Sequence, residues 1–275
     1  MRMCACRGTA GFVHVSCLAE QAKILVAEAE ENRLGNKVFD ARWARWNICS
    51  MCEQSYHGVV ACALGWACWK TYVGRPETDW TRVMAVSRLG GGLSYAGQYV
   101  DALSVYEAEL SVKQRVGTAE DGLLLTHINL ATTYRNLGRR ERALQIERDV
   151  YSAFLRLRGE EHRNTHIAAI NYASSLTTLK HFEEAKAMLR KLTPVARRVR
   201  GESDEVTLKI RWALAQSLYE DPGATLDDNR EAVATFEEIE PTARRVLGSA
   251  HPDTVRMGAS LRSARAALRA REAIA

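Results

Sequence analysis

The residues able to do chemistry crowd into the first quarter of this chain. All seven cysteines lie between Cys4 and Cys68, and their spacing is Cys4-x-Cys6, His14-x2-Cys17 and Cys49-x2-Cys52, with Cys62 and Cys68 further on. Thiolate or imidazole side chains a few positions apart on a tight turn can face one ion. Zinc takes such ligands in tetrahedral sets of four, at about 2.3 Å from sulfur. Zn2+ is therefore the expected cofactor, and Cys4, Cys6, His14, Cys17, Cys49 and Cys52 are the candidate ligands. An odd number of cysteines confined to one end does not make a disulfide framework. The competing reading is that these cysteines are small buried hydrophobes of a helical cap and bind nothing. A zinc held by four protein ligands leaves no position for water, so its role is structural and not hydrolytic. Cys62 and Cys68 share an apolar run with Ala61, Leu64 and Trp66 and read as packing, and His57 likewise.

The segment Cys4-Ala-Cys6-Arg-Gly-Thr-Ala-Gly-Phe12-Val13-His14-Val-Ser-Cys17-Leu18, continued by Cys49-x2-Cys52, resembles the middle and end of a RING-CH zinc finger, the variant found in membrane-associated ubiquitin ligases. The resemblance spans residues 3–56. It implies four ligand couples that cross over, so that Cys4, Cys6, Cys49 and Cys52 hold one zinc, and an aromatic residue four after the last ligand, where Tyr56 stands. The opening C-x2-C couple is missing, which leaves His14 and Cys17 without partners. The expectation is a true start upstream of Met1; loss of the second zinc, or recruitment of Cys62 and Cys68, are the alternatives. Where the family carries a tryptophan that helps dock the ubiquitin-conjugating enzyme, this chain has Gln21. Between Cys17 and Cys49, Leu18 to Glu30 has helical composition, and Glu28 to Leu34 reads as a solvated face.

The remaining chain must position this cluster, and its composition bounds how. With 275 residues, 47% hydrophobic and 26% charged, it has an ordinary globular profile, and five prolines with 7% aromatics favour helix. The net charge of +5, from 38 basic and 33 acidic residues mixed along the chain, requires no nucleic-acid partner. The most apolar run, Val59 to Trp69, is about half the roughly 20 residues of a membrane-spanning helix, so no membrane partner is expected. No signal-peptide core follows Arg2, and the expected setting is cytoplasmic.

From Arg82 a period appears. Asn129 recurs as Asn171, Ala143 as Ala185, Gly159 as Gly201 and Thr165 as Thr207, each 42 residues on, and Gly117 precedes Gly159 by the same interval. The frame then slips by five residues near Asp221-Pro222-Gly223, a turn-forming tripeptide. Within a repeat the types suit a helical hairpin: Leu89-Gly90, Leu93, Gly97 at the turn and Ala102 at a close crossing. The next gives Leu130-Ala131, Tyr134, Gly138 and Ala143, and the third Tyr172-Ala173, Leu176, His181 in place of the turn glycine, and Ala185. This pattern resembles tetratricopeptide repeats. The longer period, with the endings Gly-Glu-Glu-His162 and Gly-Ser-Ala-His251-Pro252-x-Thr254, resembles those of kinesin light chain. The resemblance covers about residues 82–270.

The fold class implied is mostly α: a right-handed α-solenoid of tetratricopeptide hairpins with a small N-terminal zinc-finger-like region. Its expected parts are a partial RING-CH-like finger at 1–58, a connecting segment at 59–81 and an array at 82–272. The array divides at about 82–123, 124–165, 166–207 and 208–254, with a terminal helix at 255–272. Such an array offers a concave surface made of its first helices. The resemblance places Ile128, Asn129, Thr132, Arg135 and Asn136 there in the second repeat, and Ile170, Asn171, Ser174 and Thr178 in the third. Asn129 and Asn171 lead, because an amide both donates and accepts and can pair with the backbone of an extended peptide. Arg88 and Arg211 fall near the same rank in the first and fourth repeats and would make the groove ends basic. Arg197-Arg198-Val199-Arg200 and Arg244-Arg245 read as cations at second-helix ends.

No phosphate loop or hydrolase motif is present, Gly90-Gly91-Gly92 reads as helix packing, and no catalytic residue is expected. The function implied is a zinc-binding adaptor that holds a partner's peptide segment. The alternative is a soluble RING-CH-type ubiquitin ligase, partnered by a ubiquitin-conjugating enzyme, whose repeats select the substrate.

Overall fold

The computed structural model describes residues 14–273, and among them twelve α-helices and one short 3-10 turn carry the fold. Two compact units divide the chain at Gly138 and Arg139. The first contains α1 (Val15–Glu31), α2 (Asn36–Trp43), the 3-10 turn Ala44–Trp46, α3 (Gly58–Tyr72), α4 (Trp80–Tyr95), α5 (Tyr99–Arg115) and α6 (Glu120–Asn136). The second contains α7 (Arg140–Arg158), α8 (Arg163–Thr178), α9 (Phe182–Arg200), α10 (Glu205–Tyr219), α11 (Leu226–Val246) and α12 (Pro252–Glu272). Within each unit the helices from α3 onward pack consecutively as hairpins, and in the second α10 also touches α8 and α12. Of the expected mostly α fold, the consecutive helical hairpins are present among the described residues. The expected repeat boundaries at 124, 166 and 208 fall three or four residues inside α6, α8 and α10. None of the described helices is long and apolar enough to cross a membrane.

The period read in the sequence is a period of helix ends. Gly117, Gly159, Gly201 and Gly248 follow α5, α7, α9 and α11 with φ of +70°, +77°, +85° and +94°, a region where a Cβ is strained. The next helix then starts on a side chain that accepts an orphan backbone N–H. His162 Nδ1 takes that of Asn164 and His251 Nδ1 that of Asp253, both at 3.2 Å, while Asp204 takes that of Val206 at 2.9 Å. Gly-Glu-Glu-His162 and Gly-Ser-Ala-His251-Pro252 are thus stop-and-start signals. Pro252 sits at the first helical position, where its missing N–H costs nothing.

The structure corrects the third repeat's turn. The left-handed residue equivalent to Gly97 and Gly138 is Lys180 (φ +65°), whereas His181 has φ −85° and caps α9. The five-residue slip lies in the loop between α10 and α11, as expected. There Asp221 pairs with Lys186 Nζ of α9 at 2.8 Å, and Arg271 of α12 donates to the carbonyls of Asp221 and Pro222 at 3.0 and 3.1 Å. Desolvation would raise the Asp221 carboxyl, but Lys186 and the Gly223 N–H outweigh it and hold it below the usual carboxylate range.

Within Gly90-Gly91-Gly92, the first and third glycines are indeed packing positions. A Cβ on Gly92 would lie 2.6 Å from the Ala61 carbonyl oxygen, one on Gly65 2.8 Å from that of Arg88, and one on Gly90 2.5 Å from the Tyr106 ring. Helices α3 and α4 therefore meet backbone to backbone. Residues 59–81, expected to connect, form most of α3 and the turn into α4, and Leu64 and Cys68 are fully buried.

Before α3 the core is aromatic. Phe39, Trp43, Trp46 and Tyr72 form it with Ala22, Val26 and Ala29 of α1, and the Trp43 and Tyr72 ring centroids are 5.4 Å apart. The face Glu28 to Leu34 is not simply solvated. Ala29 is buried, and Glu30 receives a bidentate pair from Arg75 at 2.7 and 2.8 Å and the Thr81 hydroxyl at 3.1 Å. The Arg75 hydrogen bonds, foremost, hold the Glu30 carboxyl below its ordinary value against desolvation.

Candidate functional site

Two kinds of candidate site are built by these elements: a cysteine turn in the first unit, and the exposed faces of the first helices in each unit. The turn runs from Cys49 to Gln54. Cys49 N–H donates to the Gln54 carbonyl at 2.9 Å, Glu53 N–H to the Cys49 carbonyl at 3.0 Å, and Ile48 and Ser55 form an antiparallel bridge that closes it. Glu53, just after Cys52, has φ +55° and turns the chain back toward the Ile48–Ser55 bridge. Cys49 is buried and Cys52 half-buried, and both pack with Tyr56, Val60, Leu64 and the start of α1. The turn therefore carries both cysteines of the C-x2-C couple on one short loop.

The other expected ligands divide between described and undescribed residues. Cys4 and Cys6 lie outside the described residues. His14 precedes α1, Cys17 sits in its first turn, and both are exposed. Among the described residues no three of His, Cys, Asp and Glu converge as a metal site would require, so His14 and Cys17 do not complete a set with Cys49 and Cys52. No disulfide joins Cys17, Cys49, Cys52, Cys62 and Cys68. Burial pushes the Cys68 thiol well above its ordinary value, which fits a packing role. Cys62 is only half-buried, against Gln98, with its Sγ 3.6 Å from Oε1. His57 stacks edge-on against Tyr95, with centroids 5.3 Å apart.

In the first unit the leading groove residue lies on α6. Leu130, Ala131 and Tyr134 turn inward, Asn129 is half-buried, and among the described residues no hydrogen bond ties its amide; only its backbone carbonyl is used, by Thr133 Oγ1 at 2.8 Å. Arg135, nearly two turns on, already interacts with other groups of the chain. Arg88 of α4 is not an open cation. Burial lowers its pKa, opposed by Cys68, Tyr95 and Tyr106 around it.

The second unit presents α8 in the same way: Tyr172, Ala173 and Leu176 are buried, Ile170 is packed on the core, Asn171 is half-buried and Ser174 and Thr178 are exposed. Asn171 already interacts with other groups of the chain. Arg211 of α10, expected at a basic groove end, is neutralised by Glu202 at 3.3 Å and by Glu238 of α11. The arginines expected at second-helix ends are there, with Arg197, Arg198 and Arg200 closing α9 and paired with Glu202, Glu161 and Asp204.

One polar cluster went unflagged by spacing. Glu109 of α5, 1% exposed, accepts on Oε1 from Lys113 Nζ at 2.6 Å, from Thr126 Oγ1 at 3.1 Å and from Ser87 Oγ. Its only sequence signal is a Glu-x3-Lys pair on one helical face.

Comparison with known proteins agrees with the hairpins. A tetratricopeptide repeat family model matches residues 126–164. At the level of sequence no curated protein matches the chain. Among solved structures, the kinesin light chain TPR-like repeat protein of Podosopora anserina superposes with a TM-score of 0.52 at 14% identity, covering 85% of this chain and 98% of that one. BtubC (BKLC) of P. vanneervenii superposes with a TM-score of 0.50 at 16% identity, covering 96% of this chain and 91% of that one. At such identities the likeness is one of fold: tetratricopeptide-like helical hairpins similar to those of kinesin light chain proteins.

Proposed function

We propose that the chain is a protein-interaction adaptor: the first-helix faces hold an extended segment of a partner protein, and the N-terminal cysteines bind a structural zinc that fixes the end of the chain. The observation that carries the first part is the pair Asn129 and Asn171. They occupy the same rank of α6 and α8, 42 residues apart, among neighbours that turn inward. The Asn129 amide in particular offers a donor and an acceptor to a passing backbone. Arg88 and Arg211 contribute little charge to such a face, so recognition there is by neutral hydrogen bonding more than by attraction of acidic peptides.

Selection of displayed random peptides on the full-length chain tests this. Binders are expected whose affinity falls about five- to tenfold in Asn129→Ala and in Asn171→Ala, the loss of one peptide hydrogen bond. Binders indifferent to both substitutions would place recognition elsewhere.

The zinc proposal is supported by the Cys49–Cys52 turn, whose form suits one ligand couple. Cys4 and Cys6 are the residues that would complete it, and the metal would supply folding energy and no reaction chemistry. Metal analysis should find about one zinc per chain, lost in Cys49→Ser. Two zincs would mean that His14 and Cys17 have found partners, and would favour the second reading, a ubiquitin ligase, to be checked by a ubiquitination assay. Gln21, exposed on α1 where that reading implies a tryptophan, supports the adaptor. No zinc in either protein would leave a repeat scaffold alone.

A further inference from the structure

Among the described cysteines, Cys49 and Cys52 are set apart by sharing one turn. The Glu53 N–H donates to the Cys49 carbonyl at 3.0 Å, so that Ser50, Met51 and Cys52 form a single hydrogen-bonded turn, held closed by the Ile48–Ser55 bridge. A turn of this kind keeps the Cα atoms of residues i and i+3 less than about 7 Å apart, and a disulfide spans Cα separations of about 4.4–6.8 Å. Both cysteines pack into the one apolar cluster of Tyr56, Val60 and Leu64, so they share a face of the loop. Cys49 is buried there and Cys52 only half-buried, which makes Cys52 the thiol a small oxidant meets first. The other described cysteines have no such arrangement. Cys17 is exposed on α1, and Cys62 lies six residues before the fully buried Cys68 on α3, a rise of about 9 Å along the helix that no disulfide crosses.

We infer that Cys49 and Cys52 are a redox modification site, which a hydroperoxide oxidises to a disulfide, and that this disulfide and bound zinc exclude each other. In the first step the Cys52 thiolate attacks the peroxide: an S–O bond forms, the O–O bond breaks, and the departing hydroxide takes up a proton as water. In the second the Cys49 thiolate attacks Cys52 Sγ, the S–S bond forms, the S–O bond breaks, and a second water leaves. Two thiols and one hydrogen peroxide thus give one disulfide and two waters, the sulfurs losing the two electrons that the peroxide gains. In a reducing compartment such a pair closes transiently and is reset by thiol exchange. Zinc needs both sulfurs as thiolates, so closing the pair removes a whole ligand couple at once. The disulfide stands independently of the zinc reading; its exclusion of zinc rests on that reading.

Mass spectrometry of the full chain tests it. The reduced protein, stripped with a chelator, is treated with hydrogen peroxide, alkylated and cleaved after glutamate; residues 32–53, between Glu31 and Glu53, then carry Cys49 and Cys52 and no other cysteine. That fragment should be two hydrogen atoms lighter than the dithiol and refuse alkylation, and should accept two alkyl groups once dithiothreitol has reduced it. Cys49→Ser should stop the reaction at the Cys52 sulfenic acid, trapped by dimedone, a readout that mere packing of the two cysteines would not give. The same peroxide on zinc-loaded protein should release about one zinc per chain, which rebinds on reduction. The inference is overturned if the fragment stays a dithiol while Cys17 is oxidised, if it is found joined to the fragment carrying Cys4 and Cys6, or if Cys52 goes to the sulfinic acid with no disulfide formed. Zinc retained by protein whose pair has closed would overturn the exclusion. A disulfide in a chain that never binds zinc would sustain the redox site and remove the zinc reading instead.

Discussion

The segment up to the end of α4 and the unit that begins at Arg139 are both helical, but they are packed by different means. The first relies on a few large, singular residues: Phe39, Trp43, Trp46 and Tyr72 in one layer, and Gly65 and Gly92 where α3 and α4 touch backbone to backbone. The second relies on many small, repeated ones, Ala169, Ala173, Ala196, Ala215, Ala232 and Ala243, interleaved with Leu189, Leu208, Leu218 and Phe236. A repeated interface spreads its stabilisation over equivalent positions, and each needs only an approximate fit. A singular one concentrates it.

Substitutions can sharpen that contrast. The largest effect is expected for Trp43→Ala, a loss of about 3–5 kcal/mol in urea denaturation. Tryptophan fluorescence suits the measurement, because all of Trp43, Trp46, Trp66, Trp69 and Trp80 lie in the first unit and only Trp212 in the second. A loss under about 1 kcal/mol would show the aromatic layer to be no more demanding than the alanine one. Next comes Gly92→Val, expected to cost about 3 kcal/mol because its side chain meets the Ala61 backbone, which cannot give way as a side chain does.

In the second unit the sharpest response is to pH. His166 is fully buried, with Nε2 2.7 Å from the Glu160 carbonyl. Burial lowers its pKa, with Arg200 and His162 acting the same way against the Glu160 hydrogen bond and Asp204. The unfolded chain then takes up the proton first. The stability this histidine contributes is present above its unfolded pKa of about 6.5 and is lost as pH falls through that value toward the lower folded one. His166→Gln should flatten the decline between pH 7 and pH 5, followed through Trp212; an unchanged slope would assign the decline to other groups.

Two small gains close the series. Gly91→Ala finds only Tyr106 Oη at 3.8 Å and should stabilise by about 0.5–1 kcal/mol, the reverse of its neighbour Gly92. Lys180→Gly removes a Cβ from a left-handed turn and should gain about 0.5–1 kcal/mol, net of glycine's freedom when unfolded. Thermal melts resolve both, and a loss at either position would contradict the geometry given for it.

The repeats were legible because each marker has a stereochemical cause that recurs: glycine where the chain turns left-handed, histidine or aspartate where a helix begins, alanine where helices cross. The third turn is less legible because Lys180, a non-glycine residue, holds the left-handed position beside the capping His181. Glu30 read as solvated because its partner Arg75 is 45 residues away. Arg211 read as a groove cation for a similar reason, since Glu238 on α11 is 27 residues away and approaches it only once α10 and α11 are folded together. The aromatic layer has no period to announce it, and the cysteines around it drew attention to metal chemistry. The cluster at Glu109 exists only once α4, α5 and α6 bring Ser87, Lys113 and Thr126 to one carboxylate oxygen.

The loop at Asp221 adds a mechanical property to the second unit. Asp221 is gripped by Lys186 from α9 through its carboxylate and by Arg271 from α12 through its carbonyl. A pull on the C-terminal end is therefore transmitted through Arg271 to the loop and onward to α9, bypassing the length of α11. The extra residues that lengthen this one connection act as a tie-bar rather than as slack, and peeling α12 away must break it before the terminal hairpin can come undone.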